Sequence, residues 1–113
     1  MLIDDWKVSV NKLLATDDEM KLVSTDSLTV CKFKICHVGK MQKHSHPSEQ
    51  ITVVFNGSMR ISFGGTEKIV SSGDVCVVPG NLEHEVEFLT VPFESIDIFS
   101  PRRDDFIEAI GRK

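Results

Sequence analysis

The heptapeptide HSHPSEQ, residues 44–50, concentrates polar side chains directly before the apolar run ITVVF. Its two histidines, His44 and His46, are separated by one residue. In an extended strand, residues i and i+2 project to the same face, so the two imidazoles can reach a single metal ion. This stretch therefore predicts half of a metal site at the start of a strand.

Further candidate ligands follow from the same periodicity. Pro47 cannot take part in a central ladder, so we expect a bend there. If the period of two continues past that bend, Gln50 returns to the histidine face and Glu49 points away from it. His84 follows a Pro-Gly-Asn turn and opens a later strand that can reach the same face. Spacing alone leaves open the alternative that these are surface or core histidines that bind nothing.

From about residue 28 the sequence alternates short strand-like runs with turns, which indicates a β-sandwich or barrel without helical crossovers. Asn56-Gly57 predicts a two-residue hairpin, because both residues tolerate positive φ. The tail RRDDFIEAIGRK predicts a short helix, since its acidic residues fall in the first turn. The strand-like runs are LTVCKFKICHV (28–38), ITVVF (51–55), SMRISF (58–63), TEKIV (66–70), VCVV (75–78), HEVEFL (84–89) and ESIDIF (94–99).

Composition narrows the class of protein. The 113 residues are enough for one domain, which we place at residues 1–113. A formal charge of −4 argues against nucleic acid or an anionic membrane surface as the partner.

The N-terminus has no long apolar run, so neither a signal peptide nor a membrane span is predicted. Three cysteines without CxxC spacing predict no disulfide framework and a reducing, cytoplasmic location, with Cys31 and Cys76 as small core side chains.

Two segments resemble the two motifs of the cupin family. In the first, residues 39–57, Gln50 stands where glutamate is usual and the leading glycine, Gly39, is off by one position. In the second, residues 73–84, Asn81 stands where glycine is common. The motifs read His44-x-His46-x3-Gln50-x6-Gly57 and Gly73-x5-Pro79-x2-Leu82-Glu83-His84.

The cupin resemblance implies an all-β jelly-roll barrel (a double-stranded β-helix) with one divalent transition metal inside. Imidazole and amide ligands suit Ni, Mn, Fe, Co or Zn. A neutral ligand set leaves the ion its full charge, which favours an anionic substrate and Lewis-acid chemistry. The implied ligands are His44, His46, Gln50 and His84.

A second constellation lies in ESIDIFSPRRDDF, residues 94–106. Asp97 shares one strand face with Ser95 and Phe99, opposite an apolar face. A carboxylate on an inward strand face is costly unless it has a partner or a function. The alternative is that this face meets solvent and Asp97 is an ordinary surface acid.

This tail resembles that of the KdgF-type pectin-degradation cupins, which share the HSHP-x-EQ opening and a D-x-FSP-x-R stretch. The resemblance implies opening of 4,5-unsaturated uronates to linear 5-keto-4-deoxyuronates. It implies three catalytic residues beside the metal: Asp97 as general acid and base, Arg103 as a clamp for the substrate carboxylate, and Phe99 as a wall that excludes water. Arg102 replaces a residue that is often proline in this group.

Two other functions fit the same sequence. A metal-dependent cupin oxygenase would need Fe(II) with open coordination positions. A non-catalytic cupin that binds a metal or a small ligand would need no catalytic acid. In each case an exposed sheet edge favours a homodimer.

Overall fold

The structure, a computed structural model, describes residues 7–9 and 18–111. Within these ranges the chain forms β-strands followed by one C-terminal α-helix, as the sequence predicts. The elements are β1 (Lys7–Ser9), β2 (Glu19–Ser24), β3 (Thr29–Ile35), β4 (Gly39–Lys40), β5 (Glu49–Phe63), β6 (Thr66–Ser71), β7 (Val75–Val78), β8 (Glu85–Ser100) and α1 (Asp104–Gly111).

Two long antiparallel strands, β5 and β8, organise the sheet. The first half of β5 pairs with β7 and with the second half of β8, which continues to β3, β2 and β1. The second half of β5 pairs with β6 and with the first half of β8, which also pairs with β4. Buried side chains from both halves, such as Val54 and Ile61, belong to one hydrophobic core. The two halves therefore face each other across a common interior, as in a jelly roll.

The predicted hairpin at Asn56-Gly57 is wrong. β5 runs without interruption through both residues, and its pairing with β8 shifts register between Val54 and Met59. Gly57 has φ +78°, and a Cβ there would lie 2.6 Å from the carbonyl oxygen of Thr90. The positive φ that suggested a turn instead serves a β-bulge, where β5 bends from one half of the sheet to the other.

The C-terminal helix packs into the interior through Phe106. Its ring meets that of Phe99 edge-on at 5.6 Å between centroids and that of Phe33 at 6.4 Å. Phe106 belongs to a second core cluster that contains Cys31, which is fully buried as expected. Cys76 is partly buried against the main core, and all three cysteines are free.

The turn before His84 docks on the histidine segment. The Asn81 amide donates to the carbonyl oxygen of His46 at 2.7 Å. Gly80 passes so close that a Cβ would lie 2.5 Å from the Pro47 carbonyl oxygen. Asn81 has φ +62°, a conformation that glycine and asparagine tolerate best, which accounts for asparagine at a position where glycine is common. This docking brings the two sequence motifs together.

In the described ranges, no helix has both the length and the apolar character that a transmembrane span requires.

Candidate metal centre

Three histidines from the two motifs converge. His44 and His84 form an isolated antiparallel bridge, with N···O distances of 2.9 and 2.8 Å in the two directions. Their ring centroids are 4.3 Å apart, and the His46 ring lies 5.1 Å from that of His84. One ring nitrogen from each histidine lies within 4.8 Å of the others. The three side chains are therefore positioned to hold a single metal ion.

The hydrogen bonds of these histidines fix their tautomers. Each Nδ1 lies against a backbone carbonyl oxygen two residues away. A carbonyl only accepts, so each Nδ1 carries the proton and each Nε2 keeps a free lone pair. A ring N–H bound to a carbonyl is the usual support for a metal-ligating histidine. The bonds join His44 to Gln42 at 2.8 Å, His46 to Ser48 at 2.8 Å and His84 to Leu82 at 2.9 Å.

The environment of the His46 Nε2 atom indicates whether this site suits a metal ion. It is buried and has no hydrogen-bond partner among the described residues. A buried polar nitrogen without a partner is costly, and a metal ion removes that cost. Burial lowers the pKa of His46 and of His84, which keeps both imidazoles in the neutral form that binds metals. The donor set therefore fits a transition metal.

Gln50 lines the same cavity, and Glu49 is exposed, so the structure places both as the period of two predicts. The Gln50 amide nitrogen donates to Thr52 Oγ1 at 2.8 Å and to Asp97 Oδ2 at 3.2 Å. Both hydrogens of the amide are thereby used, and its carbonyl oxygen remains available as a ligand.

Asp97 is buried rather than exposed, with 7% of its surface accessible. Its Oδ1 accepts a hydrogen bond from Ser95 Oγ at 3.0 Å, and its Oδ2 accepts the bond from Gln50. Burial raises the pKa of this carboxyl to about 7, although the hydrogen bonds from Ser95 and Thr52 and the charge of Arg103 act in the opposite direction. A carboxyl with this pKa can both donate and accept a proton near neutral pH.

Arg103 lines the cavity from the start of α1, with its side chain only 11% exposed. Its Cζ lies 3.8 Å from the Phe106 ring centroid and 4.9 Å from that of Phe99. Its ion-pair partner is Asp105. Phe99 itself is buried and meets the His46 ring edge-on at 5.7 Å, so it forms a wall beside the histidines.

These side chains line one cavity of about 750 Å³. Lys40 and Lys43 also line it, as do Asp18 and Asp105, so the lining carries charges of both signs. The polar part of the lining includes His44, His46, Gln50, Thr52, His84, Ser95, Asp97 and Arg103, and the apolar part includes Ile35, Met59, Ile61, Val86, Phe88 and Phe93.

Sequence analysis missed two residues that support the site, Thr52 and Asp105, and it named Ser95 only as a neighbour of Asp97 on one strand face. Thr52 lies two positions after Gln50 on β5, and Ser95 lies two positions before Asp97 on β8. The period of two gives each as a same-face neighbour, and the same argument applied to Gln50 would have found Thr52. Asp105 had no such indication, because its pairing with Arg103 depends on how the chain enters α1.

Comparison with known proteins agrees with this fold. A family model described as a cupin domain matches residues 36–99, more than half of the sequence. The chain belongs to the cupin family.

Within that family the chain is KdgF-like. It is 34% identical over 85 residues to the pectin degradation protein KdgF of Dickeya dadantii (strain 3937), covering 74% of this chain and 76% of that protein. The structure of KdgF from Halomonas sp. matches with a TM-score of 0.75 and 29% identity, covering 94% of this chain and 98% of the other. An RmlC-like cupin from Shewanella frigidimarina NCIMB 400 matches with a TM-score of 0.74, covering 94% and 93%; at 21% identity this likeness concerns the fold alone.

Proposed function

We propose that the protein is a metal-dependent enzyme that opens 4,5-unsaturated uronate monosaccharides to linear 5-keto-4-deoxyuronates. One observation carries the proposal: a buried carboxyl, Asp97, lines the same cavity as three convergent imidazole nitrogens and a nearly buried guanidinium. The likeness to KdgF, a pectin degradation protein, supports a sugar acid as the substrate.

Arg103 is the group that binds the substrate carboxylate. Asp105 accepts from its Nε and Nη2, which leaves Nη1 and the second hydrogen of Nη2 for a ligand. The faces of Phe99 and Phe106 hold the guanidinium plane in place. A substrate carboxylate bound bidentately along this edge would have its neighbouring C4=C5 double bond oriented by the same contact.

Asp97 is the proton donor. In its protonated form it delivers a proton to C4, and water adds at C5 to form a hemiketal while the resulting Asp97 carboxylate takes the proton that the water releases. The bond between C5 and the ring oxygen then breaks to give the 5-keto group. The ring oxygen remains on C1 as part of a hydrated aldehyde, whose dehydration returns one water, so the linear product is an isomer of the substrate.

The other side chains of the cavity bind the metal, orient Asp97 or exclude water during proton transfer. The metal-site residues His44, His46, Gln50 and His84 would hold the ion, which when bound supplies Lewis-acid polarisation of ligand oxygens. Ser95 keeps the Asp97 carboxyl in one orientation. Phe99 limits access of bulk water to the proton-transfer site.

The test is loss of the ultraviolet absorbance of the C4=C5 bond of an unsaturated uronate monosaccharide, with the metal-loaded protein. We expect a rate well above the spontaneous rate. Asp97→Asn keeps the shape of the side chain and removes its acid, so turnover should fall by about two to four orders of magnitude with metal content unchanged. A parent protein that does no better than the spontaneous rate would exclude ring opening.

A further inference from the structure

Ser48 is a buried serine that joins the histidine loop to the chain segment carrying Arg103. It lies two residues after His46 and two before Gln50, and only 2% of its surface is accessible. Its Oγ donates a hydrogen bond of 2.6 Å to the carbonyl oxygen of Pro101. Its own carbonyl oxygen accepts from the His46 Nδ1 at 2.8 Å. One residue therefore contacts a metal-site histidine on one side and the segment before Arg103 on the other.

The antiparallel register of β5 and β8 explains why Ser48 makes both bonds. Glu49 faces Ser100 in the last pair at this end of the ladder, so the next residues to face each other are Ser48 and Pro101. Proline has no N–H, so Pro101 cannot donate a ladder hydrogen bond to the Ser48 carbonyl. That carbonyl is left to accept from His46, and the serine hydroxyl makes the connection between the two strands instead.

Residues 101–103, which we call the clamp segment, have a second anchor at their other end. The Arg103 backbone N–H donates to Thr29 Oγ1 at 2.9 Å. Thr29 is fully buried on β3, and its hydroxyl oxygen lies 3.0 Å from that of Ser24. The histidine loop therefore holds the clamp segment at residue 101, and β3 holds it at residue 103. Together the two anchors determine where the Arg103 side chain enters the cavity.

We propose that Ser48 is a positioning residue that couples metal binding at the histidines to anion binding at Arg103. With a metal held at Nε2, the His46 ring is fixed, and its Nδ1–H fixes the Ser48 carbonyl. The Ser48 hydroxyl then holds the clamp segment in one place. Coupling between two sites is reciprocal, so an anion on Arg103 raises metal affinity by the same factor. The inference rests on the proposed function only in taking a sugar-acid carboxylate as the anion.

The alternative role for Ser48 is that of a buried hydroxyl that needs an acceptor. Any nearby carbonyl would meet that need, and the Ser72 hydroxyl donates in the same way to the Phe55 carbonyl at 2.9 Å, outside the cavity lining. Ser48 differs because its two partners belong to the histidine loop and the clamp segment, and His46 and Arg103 both line the cavity. Position 48 is the variable residue of the HSHP-x-EQ pattern, so the resemblance gives it no role.

Two equilibrium affinities of the full chain test the proposal. The first is the affinity for Co²⁺, measured by competition with a chromophoric chelator. The second is the affinity of the Co²⁺-loaded protein for D-glucuronate, measured by calorimetry; this sugar acid has no C4=C5 bond, so it reports carboxylate binding without turnover. Ser48→Ala should lower both affinities by about three- to tenfold. Loss of a group that supports a ligating histidine costs about ten- to a hundredfold, and this variant keeps the Ser48 carbonyl.

Two control variants separate coupling from a general loosening of the site. Thr29→Val removes the other anchor of the clamp segment, so it should lower the affinity for D-glucuronate and leave the affinity for Co²⁺ within about twofold. Ser72→Ala removes a serine-to-carbonyl bond outside the cavity lining, so it should change neither affinity. All affinities are measured at a temperature where circular dichroism shows every variant to be folded. A loss of stability alone then changes neither value.

The proposal is overturned if Ser48→Ala lowers one affinity without the other, or neither. It is also overturned if Thr29→Val lowers the affinity for Co²⁺ as much as Ser48→Ala does, or if the parent binds no D-glucuronate. If both affinities change as expected but the parent opens no unsaturated uronate, the coupling is supported and the proposed function alone is wrong. The two proposals therefore fail separately.

Discussion

Arg103 and Asp105 form a bidentate pair, in which Nε lies 2.9 Å from Oδ1 and Nη2 lies 2.7 Å from Oδ2. Arg103 is nearly buried, whereas the Asp105 side chain is 60% exposed. The hydrogen bond from Arg103 lowers the pKa of Asp105, so the pair is charged at neutral pH. Asp105 therefore acts as a positioning residue that determines which edge of the guanidinium faces the cavity.

The first prediction concerns this pair. Asp105→Asn should raise KM for the unsaturated uronate by roughly three- to tenfold and leave kcat within about twofold, because orientation of the clamp affects binding more than proton transfer. Asp104→Asn is the matched control. Asp104 accepts from the neighbouring Arg102 at 2.8 Å in an exposed pair, so its loss should leave both constants unchanged. Equal effects of the two variants would contradict a positioning role.

The second prediction concerns metal content. Purified protein should carry about one transition metal per chain, because three imidazole nitrogens converge and the buried Nε2 of His46 has no hydrogen-bond partner in the described part of the chain. His44→Ala with His46→Ala should abolish binding while the β-rich circular dichroism spectrum persists. Elemental analysis of parent and variant measures this directly, and equal metal content in the two would rule out the site.

The third prediction separates two adjacent residues. Gln50→Ala should lower metal affinity, since the amide oxygen is left free by the bonds to Thr52 and Asp97. Glu49→Ala should leave affinity near that of the parent, because Glu49 is exposed. Competition with a chromophoric chelator gives both values. The opposite ranking would show that Glu49 is the ligand.

The fourth prediction concerns the pH dependence of stability in the metal-free protein. Asp97 has a pKa near 3.8 when unfolded and about 7 when folded, so the folded state binds the extra proton between these values. The associated stability is complete below about pH 3.8 and is lost as pH rises towards 7. Urea unfolding should show the parent losing up to about 1.4 kcal/mol per pH unit relative to Asp97→Asn in this window. Contributions from His46 and His84 cancel in that difference. If the free energies of unfolding of the two proteins changed with pH in parallel, the contribution assigned to Asp97 would be wrong.

The fifth prediction concerns the β-bulge. Gly57→Ala should destabilise the fold by more than about 2 kcal/mol, because a Cβ at φ +78° would lie 2.6 Å from the Thr90 carbonyl oxygen. Gly64 also has a positive φ, +54°, but a Cβ built there would have no atom within 4 Å. Gly64→Ala should therefore lower the free energy of unfolding by only about 1 kcal/mol. The midpoints of urea unfolding measure both variants. If the two lost equal stability, a steric clash at Gly57 could not be the cause.

Much of the fold was predictable because side-chain periodicity is local. Alternation correctly assigned β6 and β7, and it placed Gln50 and Glu49 on opposite faces. The same local reasoning failed at Asn56-Gly57, where a tight hairpin and a bulge both require positive φ. The choice between them depends on the approach of Thr90 and Pro92 in β8, which lie more than thirty residues after Gly57 in the chain.

The candidate site was likewise only partly predictable from the sequence. The histidines were found from their spacing, but their tautomers depend on backbone carbonyls that come close only when the loops close. The burial of Asp97 and the pairing of Arg103 with Asp105 are tertiary facts. The sequence indicated that a carboxylate and an arginine were present. The side chains that they hydrogen-bond to could be identified only from the structure.

The hydrogen bond from Gln50 to Asp97 has an evolutionary consequence. An amide at position 50 donates to the buried carboxylate, whereas the glutamate usual in the first cupin motif would place a second negative charge against it. We therefore expect the residues at these two positions to change together. Homologues with glutamate at position 50 are expected to lack an acid at position 97, and those with aspartate at 97 to keep a hydrogen-bond donor at 50. Covariation of this pair would distinguish cupins with this acid-containing pocket from relatives that share only the barrel and the histidines.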